Sequence, residues 1–188
     1  MIYILVALKG ELPEHNLDES KFKVWYTGVG KVNATMFATM AAIQKDCAGI
    51  VNYGTAGVLK EDMAEQLHIV GICRQRDMDA RPQAHLGTTP FEETPYKGDI
   101  VISSNSSVTL STGDNFVTTK PELGSDLVDM EGYAIAKVSR HMNKPCLMLK
   151  YGSDFADENA ADTWEQNQAN GAALFLDYMN NLFSEINT

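Results

Sequence analysis

Residues 128–138 read Val-Asp-Met-Glu-Gly-Tyr-Ala-Ile-Ala-Lys-Val, two acids followed by apolar residues at the spacing of one helix face. Asp129 and Glu131 therefore lie where a helix begins, and the free N–H groups and dipole of a helix start stabilise negative charge. Helix capping explains Asp129 as well as a functional role does. Glu131 is harder to explain in that way, because Gly132 beside it lets a ligand approach the backbone. Met130 would cover an apolar ring while Glu131 holds two hydroxyls, a combination that suits a nucleoside.

Short apolar runs that end in polar or glycine-rich turns recur along the chain on both sides of this stretch. Strands are predicted at residues 1–8, 24–26, 49–53, 67–73, 98–103, 108–110 and 145–151. Helices are predicted at residues 32–43, after residue 131, and from about residue 162 onward. This alternation predicts an α/β protein built on a sheet.

Composition limits both the size of the core and the kind of partner. The 188 residues are 44% hydrophobic and contain no shift in composition, which predicts one domain over residues 1–188. The formal charge of −10 and the pI near 4.8 argue against nucleic acid or an anionic membrane as partner, because both require a basic surface. A small molecule or a protein is the expected partner.

The expected location is the cytoplasm. The N-terminal apolar run lacks the basic segment and the small-residue cleavage site of a signal peptide, and no run approaches the roughly 20 apolar residues of a membrane span. Cys47, Cys73 and Cys146 form no CxxC pair and lie in or beside apolar runs. We therefore expect a soluble protein whose buried thiols stay reduced.

Other acids follow predicted strands. In open α/β sheets ligands bind just beyond the carboxyl ends of strands, which is where Glu11 and Asp154 lie. Glu11 could equally be a solvated loop acid. Residues 111–117 form another predicted loop after a strand, and Phe116 within it would either stack on a planar base or belong to the core.

Two further loops carry weaker signals. Residues 28–31, Gly-Val-Gly-Lys, precede a predicted helix and would place backbone N–H groups against an anion. They lack the third glycine of a dinucleotide site and the ending of a P-loop, so neither NAD nor ATP is indicated, and we expect no cofactor and no metal. Residues 74–79 are predicted to be a charged surface loop, and residues 82–95 a loop with His85 exposed.

Six motifs in this order resemble the nucleoside phosphorylase and nucleosidase superfamily, and the methylthioadenosine/S-adenosylhomocysteine nucleosidases within it. They are Glu11, residues 28–31, residues 52–57, residues 112–116, residues 128–131, and Ser153 with Asp154. The likeness covers most of the chain. It implies a three-layer α/β/α fold with a central mixed, mostly parallel sheet, a purine nucleoside substrate and a homodimer.

The resemblance also implies a role for each matching residue. Glu11 would activate the attacking water, and Asp154 would protonate the leaving purine. The substrate-binding positions are Thr55 near the water and ribose, Phe116 and Val117 at the base, Met130 and Glu131 at the ribose, and Ser153 beside Asp154. These roles agree with the chemistry, since breaking an N-glycosidic bond needs an acid for the base and an activated water on the opposite face of the sugar.

Water is the expected nucleophile. Phosphorylases of this superfamily use arginines in the early glycine-rich loop and before the Gly-Thr/Ser-x-Gly turn. Here those positions offer Lys9, Lys31 and the neutral pair Asn52 and Tyr53.

The chain also departs from the family. The segments between residues 11 and 28 and between residues 79 and 113 are shorter than in typical relatives, and Lys150 stands where the nucleosidases usually have arginine. The alternatives are therefore a phosphorylase, a futalosine hydrolase-like enzyme, or a catalytically weak nucleoside-binding relative. A screen of base release, with and without phosphate, separates them.

Overall fold

The computed structural model describes residues 1–94, 97–158 and 160–185, which form a mixed sheet of nine strands and four α-helices. The strands are β1 Ile2–Val6, β2 Phe22–Tyr26, β3 Gly49–Val58, β4 Leu67–Ile69, β5 Ile72–Gln75, β6 Ile100–Val101, β7 Thr109–Thr112, β8 Leu127–Asp129 and β9 Cys146–Phe155. The helices are α1 Lys31–Ala42, α2 Gly132–His141, α3 Ala160–Asn167 and α4 Ala172–Glu185.

Helices cover both faces of the sheet. On one face, alanines of α1 and Ile135 of α2 pack with Tyr3 and Leu5 of β1. On the other face, Phe175 of α4 packs with Ile4, Val6 and other strand residues. Successive residues of β1 thus face opposite layers, and this is why its sequence is one continuous apolar run. The predicted three-layer α/β fold with a central mixed sheet is confirmed.

The pairing of β3 brings three chain segments to one place. β9 pairs in parallel with one edge of β3 from Ile50 to Val58. The other edge is shared, because β1 pairs in parallel with the first residues of β3 and β8 pairs antiparallel with Gly57 and Val58. β1 and β8 therefore run toward each other, and their carboxyl ends both reach the middle of β3. The residues that follow β1 and β8 must meet there.

The central strands are longer than the sequence predicts. The small residues 54–57 follow the predicted strand at residues 49–53 and are expected to form the turn that ends it. This expectation is wrong, because β3 continues to Val58, and β9 likewise continues past Tyr151 to Phe155. Small residues are required in β3 because other side chains press against it. A Cβ on Gly57 would lie 2.9 Å from Val128 Cγ2 and 3.1 Å from Asp154 Oδ2. The glycines make room for the pocket within an extended strand.

Two predicted elements are divided in the structure. Residues 67–73 form β4 and β5, which pair with β9 and β7 respectively. The break falls at Gly71, where any side chain would collide with the carbonyl oxygen of Ser106. The predicted C-terminal helix is likewise two helices, α3 and α4, since Gly171 between them packs against the ring of Tyr151 and a side chain there would collide with it. These elements end where the chain packs against distant residues, and the periodicity of the local sequence contains no information on such contacts.

The remaining loops and thiols agree with the prediction. Residues 82–94 contain no helix or strand and His85 is exposed, while Pro95, the last residue of that predicted loop, lies outside the described residues. Cys47 and Cys73 are buried, Cys146 is partly buried, and all three are free thiols. Within the described ranges, no helix has both the length and the apolar character needed to cross a membrane.

Candidate active site

A pocket opens where the carboxyl ends of β1 and β8 meet the middle of β3. Its lining consists of Ala7, Leu8, Glu11, Val29, Thr55, Ala56, Gly57, Arg76, Asn115, Phe116, Val117, Val128, Asp129, Met130, Glu131, Asp154 and Trp164. Every residue that the sequence assigns to the site lies in this lining except Ser153. The structure therefore brings together acids that are up to 143 residues apart in the chain, from Glu11 to Asp154.

Glu11 is buried and held by three hydrogen bonds. The backbone N–H and the hydroxyl of Thr55 both donate to Oε1, at 2.8 and 2.7 Å, and the N–H of Leu8 donates to Oε2 at 3.0 Å. The interpretation of Glu11 as a solvated loop acid is therefore wrong. A carboxylate offers about four acceptor sites, so one site remains open, on Oε2. This arrangement can accept a proton from a bound water.

Asp154 is buried on β9 and holds a proton more readily than an ordinary aspartate. Burial raises its pKa to about 6, with a further contribution from the charge of Asp157 and an opposing one from the hydroxyl of Ser153. That hydroxyl donates to Oδ1 at 2.6 Å. Ser153 itself is buried and does not line the pocket. The structure thus places Ser153 against Asp154, and a raised pKa is what a general acid requires.

Glu131 occupies the position just before α2 but makes no side-chain capping bond to that helix. Its Oε1 instead accepts the N–H of Gly30 at 2.8 Å. Burial raises its pKa to about 7, and the charge of Asp129 adds to this, while Lys150 and the Gly30 N–H act in the opposite direction. The capping interpretation does describe Asp129, whose Oδ2 accepts the N–H of Gly132 at 2.7 Å. The two acids of the opening stretch therefore have different roles.

The start of α1 binds carboxylates of the protein itself. The N–H of Gly30 donates to Glu131, and the N–H of Lys31 donates to Asp114 Oδ1 at 2.7 Å. Gly30 has a positive φ of 94°, and a Cβ there would lie 3.1 Å from Asp114 Oδ1. The sequence predicts that this loop binds an anion, and in this structure the groups bound there are the side-chain carboxylates of Glu131 and Asp114.

Arg76 is the main functional candidate that the sequence misses. The predicted surface loop at residues 74–79 is wrong, because Arg74 and Gln75 belong to β5 and Arg76 is buried. Its guanidinium donates to four carbonyl oxygens, those of Ser111, Asp129, Gly113 and Asn115, at 2.6–3.1 Å. Arg76 thus ties the ends of β7 and β8 to the loop that carries Phe116. No local pattern distinguishes it from a surface arginine.

The aromatic and apolar walls complete the pocket. Phe116 is 46% exposed, so it is not a core residue and its ring is available to a planar ligand. Val117 beside it is buried, and Met130 is partly buried. Trp164 of α3, which the sequence does not single out, also lines the pocket and donates its indole N–H to Thr55 Oγ1 at 2.9 Å. The sequence signal that could have identified Trp164 is a single aromatic residue in the short helix α3, whose other residues are polar or alanine.

Known proteins resemble this chain in sequence and in fold. Residues 90–180 match the sequence model of the phosphorylase superfamily. The aminodeoxyfutalosine nucleosidase of Helicobacter pylori strain J99 is 29% identical over 180 residues, which cover 83% of this chain and 78% of that protein. The chain is thus similar in sequence to the phosphorylase superfamily and to nucleosidases within it.

Two further proteins illustrate the likeness. The 5′-methylthioadenosine/S-adenosylhomocysteine nucleosidase of Oceanobacillus iheyensis is 27% identical over 176 residues, covering 80% of this chain and 76% of that protein. The solved structure of futalosine hydrolase from Helicobacter pylori strain 26695 superposes with a TM-score of 0.83 at 22% identity, covering 98% and 97% of the two chains. At that identity the superposition establishes a shared fold alone.

Proposed function

We propose that the chain hydrolyses the N-glycosidic bond of a purine nucleoside of the methylthioadenosine/S-adenosylhomocysteine type. The observation that carries this proposal is a pair of buried carboxylates in one pocket, of which Asp154 holds a proton more readily than usual. Glu11 keeps one acceptor site open, and burial raises the pKa of Asp154 to about 6. A hydrolase that must protonate a leaving base and deprotonate a water needs two such acids.

The positions of the two acids on the sheet support the same reaction. Glu11 Oε1 accepts hydrogen bonds from Thr55 of β3, whereas Asp154 belongs to β9, beside Gly57 of β3. The two carboxylates therefore reach one pocket from different chain segments, so that one can act on the leaving base and the other on water.

The proposed steps assign one task to each group. Asp154 donates its proton to the purine as the bond between C1′ and the base nitrogen breaks, and the bond electrons leave with the base. Glu131 and Met130 hold the ribose, and the carboxylate of Glu131 stabilises the positive charge that develops on the sugar. Glu11 takes a proton from water as the water oxygen bonds to C1′. Phe116 and Val117 contact the base, and the products are the free base and the sugar.

Hydrolysis is preferred to phosphorolysis because the groups that would bind phosphate are already occupied. The first N–H groups of α1 bind Glu131 and Asp114, and the Lys31 ammonium lies 2.6 Å from Asp77 Oδ1. Lys9 is exposed and lies outside the pocket lining. The guanidinium of Arg76 is bound to carbonyl oxygens. A phosphate would have to displace carboxylates to bind here.

A futalosine-type nucleoside is the second candidate substrate. The relatives at 29% identity are named aminodeoxyfutalosine nucleosidases, and those at 27% are named for methylthioadenosine and S-adenosylhomocysteine. These compounds share a purine and a ribose and differ at the 5′ position. The 5′ group is therefore best identified by experiment.

The test is a screen of base release from methylthioadenosine, S-adenosylhomocysteine, aminodeoxyfutalosine and adenosine, each with and without phosphate. We expect free base and free sugar at a rate independent of phosphate. Glu11→Gln and Asp154→Asn, purified in parallel, must each lose most of the activity, which excludes a contaminating enzyme. Ribose 1-phosphate as product would overturn hydrolysis. Nucleoside binding without release of base from any substrate would favour the non-catalytic alternative.

We also propose a homodimer formed through α1. This helix buries only alanines and exposes a stripe of large apolar residues at helical spacing. The stripe consists of Val32 (80% exposed), Met36 (49%), Met40 (44%) and, just past the helix, Ile43 (61%). Such a contiguous apolar surface favours association. Val29, at 42% exposure, lies both in the pocket lining and next to the stripe, so the interface would adjoin the pocket.

We propose the cytoplasm as its location. The three thiols are free, and two of them are fully buried in the core. Free thiols without disulfides fit a reducing compartment. Fractionation of cells that express the chain at native level tests this proposal.

A further inference from the structure

A chain of two hydrogen bonds links α3 to the proposed base. The indole Nε1–H of Trp164 donates to Thr55 Oγ1 at 2.9 Å, and the Thr55 hydroxyl donates to Glu11 Oε1 at 2.7 Å. All three side chains line the pocket. Trp164 therefore reaches the carboxylate indirectly, through a single hydroxyl group.

The chemistry of the indole fixes the direction of this relay. An indole N–H is a donor only, whereas a hydroxyl has one proton to donate and two lone pairs. While Trp164 donates to one lone pair of Thr55, the hydroxyl proton remains available to Glu11. Without the indole N–H, the Thr55 hydroxyl is free to rotate toward another acceptor. Trp164 thus determines which atom receives the Thr55 proton.

The relay determines where on Glu11 a water can bind. Oε1 accepts two bonds, both from Thr55, and is saturated. Oε2 accepts one bond, from the N–H of Leu8, and retains one open site. If the Thr55 hydroxyl turned away, Oε1 would also gain an open site and the water would have two alternative positions. A nucleophile needs one position, aligned with the bond that breaks.

We infer that Trp164 is a positioning residue for hydrolysis, acting through the Thr55 hydroxyl to direct the attacking water to Oε2 of Glu11. This inference rests on the proposed function. The docking of α3 supports it, since Asn167, one turn after Trp164, donates its side-chain N–H to the carbonyl oxygen of Ser153 at 3.0 Å. Two polar contacts thus fix α3 against β3 and β9, the strands that carry Thr55 and Asp154.

Trp164→Phe is the central variant, because it keeps an aromatic ring in the pocket wall and removes only the indole N–H and the second ring. We expect kcat to fall about 3- to 10-fold, the effect of one net hydrogen bond, with KM changed less than about 2-fold. Thr55→Val removes the hydroxyl at nearly constant shape. In the Thr55→Val background, adding Trp164→Phe should change kcat by less than about 1.5-fold, because the relay is already absent.

A different pattern would overturn the inference. If Trp164 merely packs against the substrate, Trp164→Phe will raise KM and will have the same effect with Thr55 or Val at residue 55. Trp25→Phe is the matched control, because Trp25 is the second of the chain's two tryptophans. Trp25 lies on β2, and its ring packs against those of Tyr3 and Phe37. This control should keep wild-type kcat and KM.

The control also provides a readout that does not depend on activity. In Trp25→Phe protein labelled with ¹⁵N, the single indole N–H signal belongs to Trp164. Thr55→Val should shift this signal and speed its exchange with solvent, while Thr55→Ser, which keeps a hydroxyl, should leave it near its original position. An indole signal that ignores Thr55→Val would overturn the relay itself. If the indole signal responds to Thr55→Val as expected but the wild-type protein releases no base from any nucleoside, the proposed function is contradicted and the relay is not.

Discussion

Lys150 and Asp129 form an ion pair that is almost completely removed from solvent. Lys150 Nζ lies 2.9 Å from Asp129 Oδ2, and both side chains are 1% exposed. Burial pulls the pKa of Lys150 down, but the charges of Asp129, Glu131 and Glu11 outweigh it and the pKa is raised. Lys150 is therefore a buried cation that interacts electrostatically with three acids of the pocket lining.

Removing the charge of Lys150 should lower the free energy of unfolding more than removing the charge of a surface lysine. Lys150→Met leaves Asp129 buried and unpaired, a change that typically costs about 3–5 kcal/mol of unfolding free energy. Urea unfolding at pH 7 measures it. The control is Lys60→Met, which removes the exposed partner of Asp126 and should leave the midpoint almost unchanged. Equal effects of the two variants would show that the buried pair does not support the fold.

Glu131→Gln should reduce turnover and leave the fold intact. A glutamine keeps an oxygen for the N–H of Gly30 but removes the negative charge that stabilises the developing positive ribose. We expect kcat to fall about 100-fold and KM to change little. Substrates lacking the 2′-hydroxyl should be poorer for the wild type and lose less on mutation.

Steady-state kinetics and melting of the same preparation check the Glu131 prediction. Asp114→Asn is the control, because Asp114 also accepts an N–H at the start of α1 but lies outside the pocket lining. It should retain far more activity. A normal kcat with a lowered melting temperature in Glu131→Gln would reduce Glu131 to a structural group.

The pH profile of kcat/KM should be bell-shaped and narrow. The proposed mechanism requires Glu131 ionised and Asp154 protonated, while burial raises their pKa values to about 7 and about 6. The acid limb thus belongs to Glu131 and the basic limb to Asp154, with a maximum near pH 6.5, roughly midway between them. A profile of kcat/KM from pH 4.5 to 9 measures both limbs, and a flat profile between pH 5 and 8 would contradict the assignment.

Asp154→Asn should stabilise the protein at alkaline pH while lowering activity. The pKa of Asp154 is raised above 3.8, so its contribution to stability is present at low pH and is lost as the pH rises through about 6. Asparagine has no charge to bury. Relative to wild type, the variant should therefore gain about 2–3 kcal/mol of unfolding free energy between pH 4 and pH 8.

Activity of the same variant separates acid catalysis from structural support. We expect Asp154→Asn to lower turnover about 100-fold on purine nucleosides. The loss should be much smaller on a nitrophenyl riboside, whose leaving group needs no proton. Equal losses on the two substrates would mean that Asp154 only positions the site.

Met36→Glu should separate the proposed dimer into monomers. Met36 lies in the middle of the exposed apolar stripe of α1, so a charge there opposes burial against a second copy. Sedimentation velocity at micromolar concentration should show a dimer for wild type and a monomer for the variant. Lys45→Glu, an exposed charge change just beyond α1, should remain dimeric. A monomeric wild type would end the proposal.

Much of the site was predictable because strand ends are visible in the sequence. Glu11, Glu131 and Asp154 each follow or end an apolar run, and the carboxyl ends of strands gather at one place in an α/β sheet. The helix at residues 32–43 and the buried first strand are also where periodicity predicts them. The roles of these acids came from the family resemblance, since strand ends alone do not assign an acid or a base.

The missed features depend on contacts between distant segments. The small residues at positions 54–57 suggested a turn, yet they are small because Val128, Glu11 and Asp154 press against an extended strand. Arg76 looked like a surface charge because its four carbonyl partners lie 35 to 53 residues away. Trp164 bonds to Thr55 across 109 residues. Such pairings are properties of the assembled sheet and are absent from any local pattern.

The carboxylates around the pocket also determine which adenine compounds are admitted. Nucleosides with neutral or zwitterionic 5′ groups bring no net charge, whereas AMP, ADP and ATP carry phosphates. Among the described residues of the pocket lining, the cationic one, Arg76, is bound to carbonyl oxygens, and the start of α1 is occupied by Glu131 and Asp114. A 5′-phosphate therefore meets neither an available cation nor an available helix start in this pocket, and burying its charge without a partner costs affinity. We therefore expect the enzyme to ignore the cell's nucleotides, so it can remove nucleosides without depleting the adenylate pool.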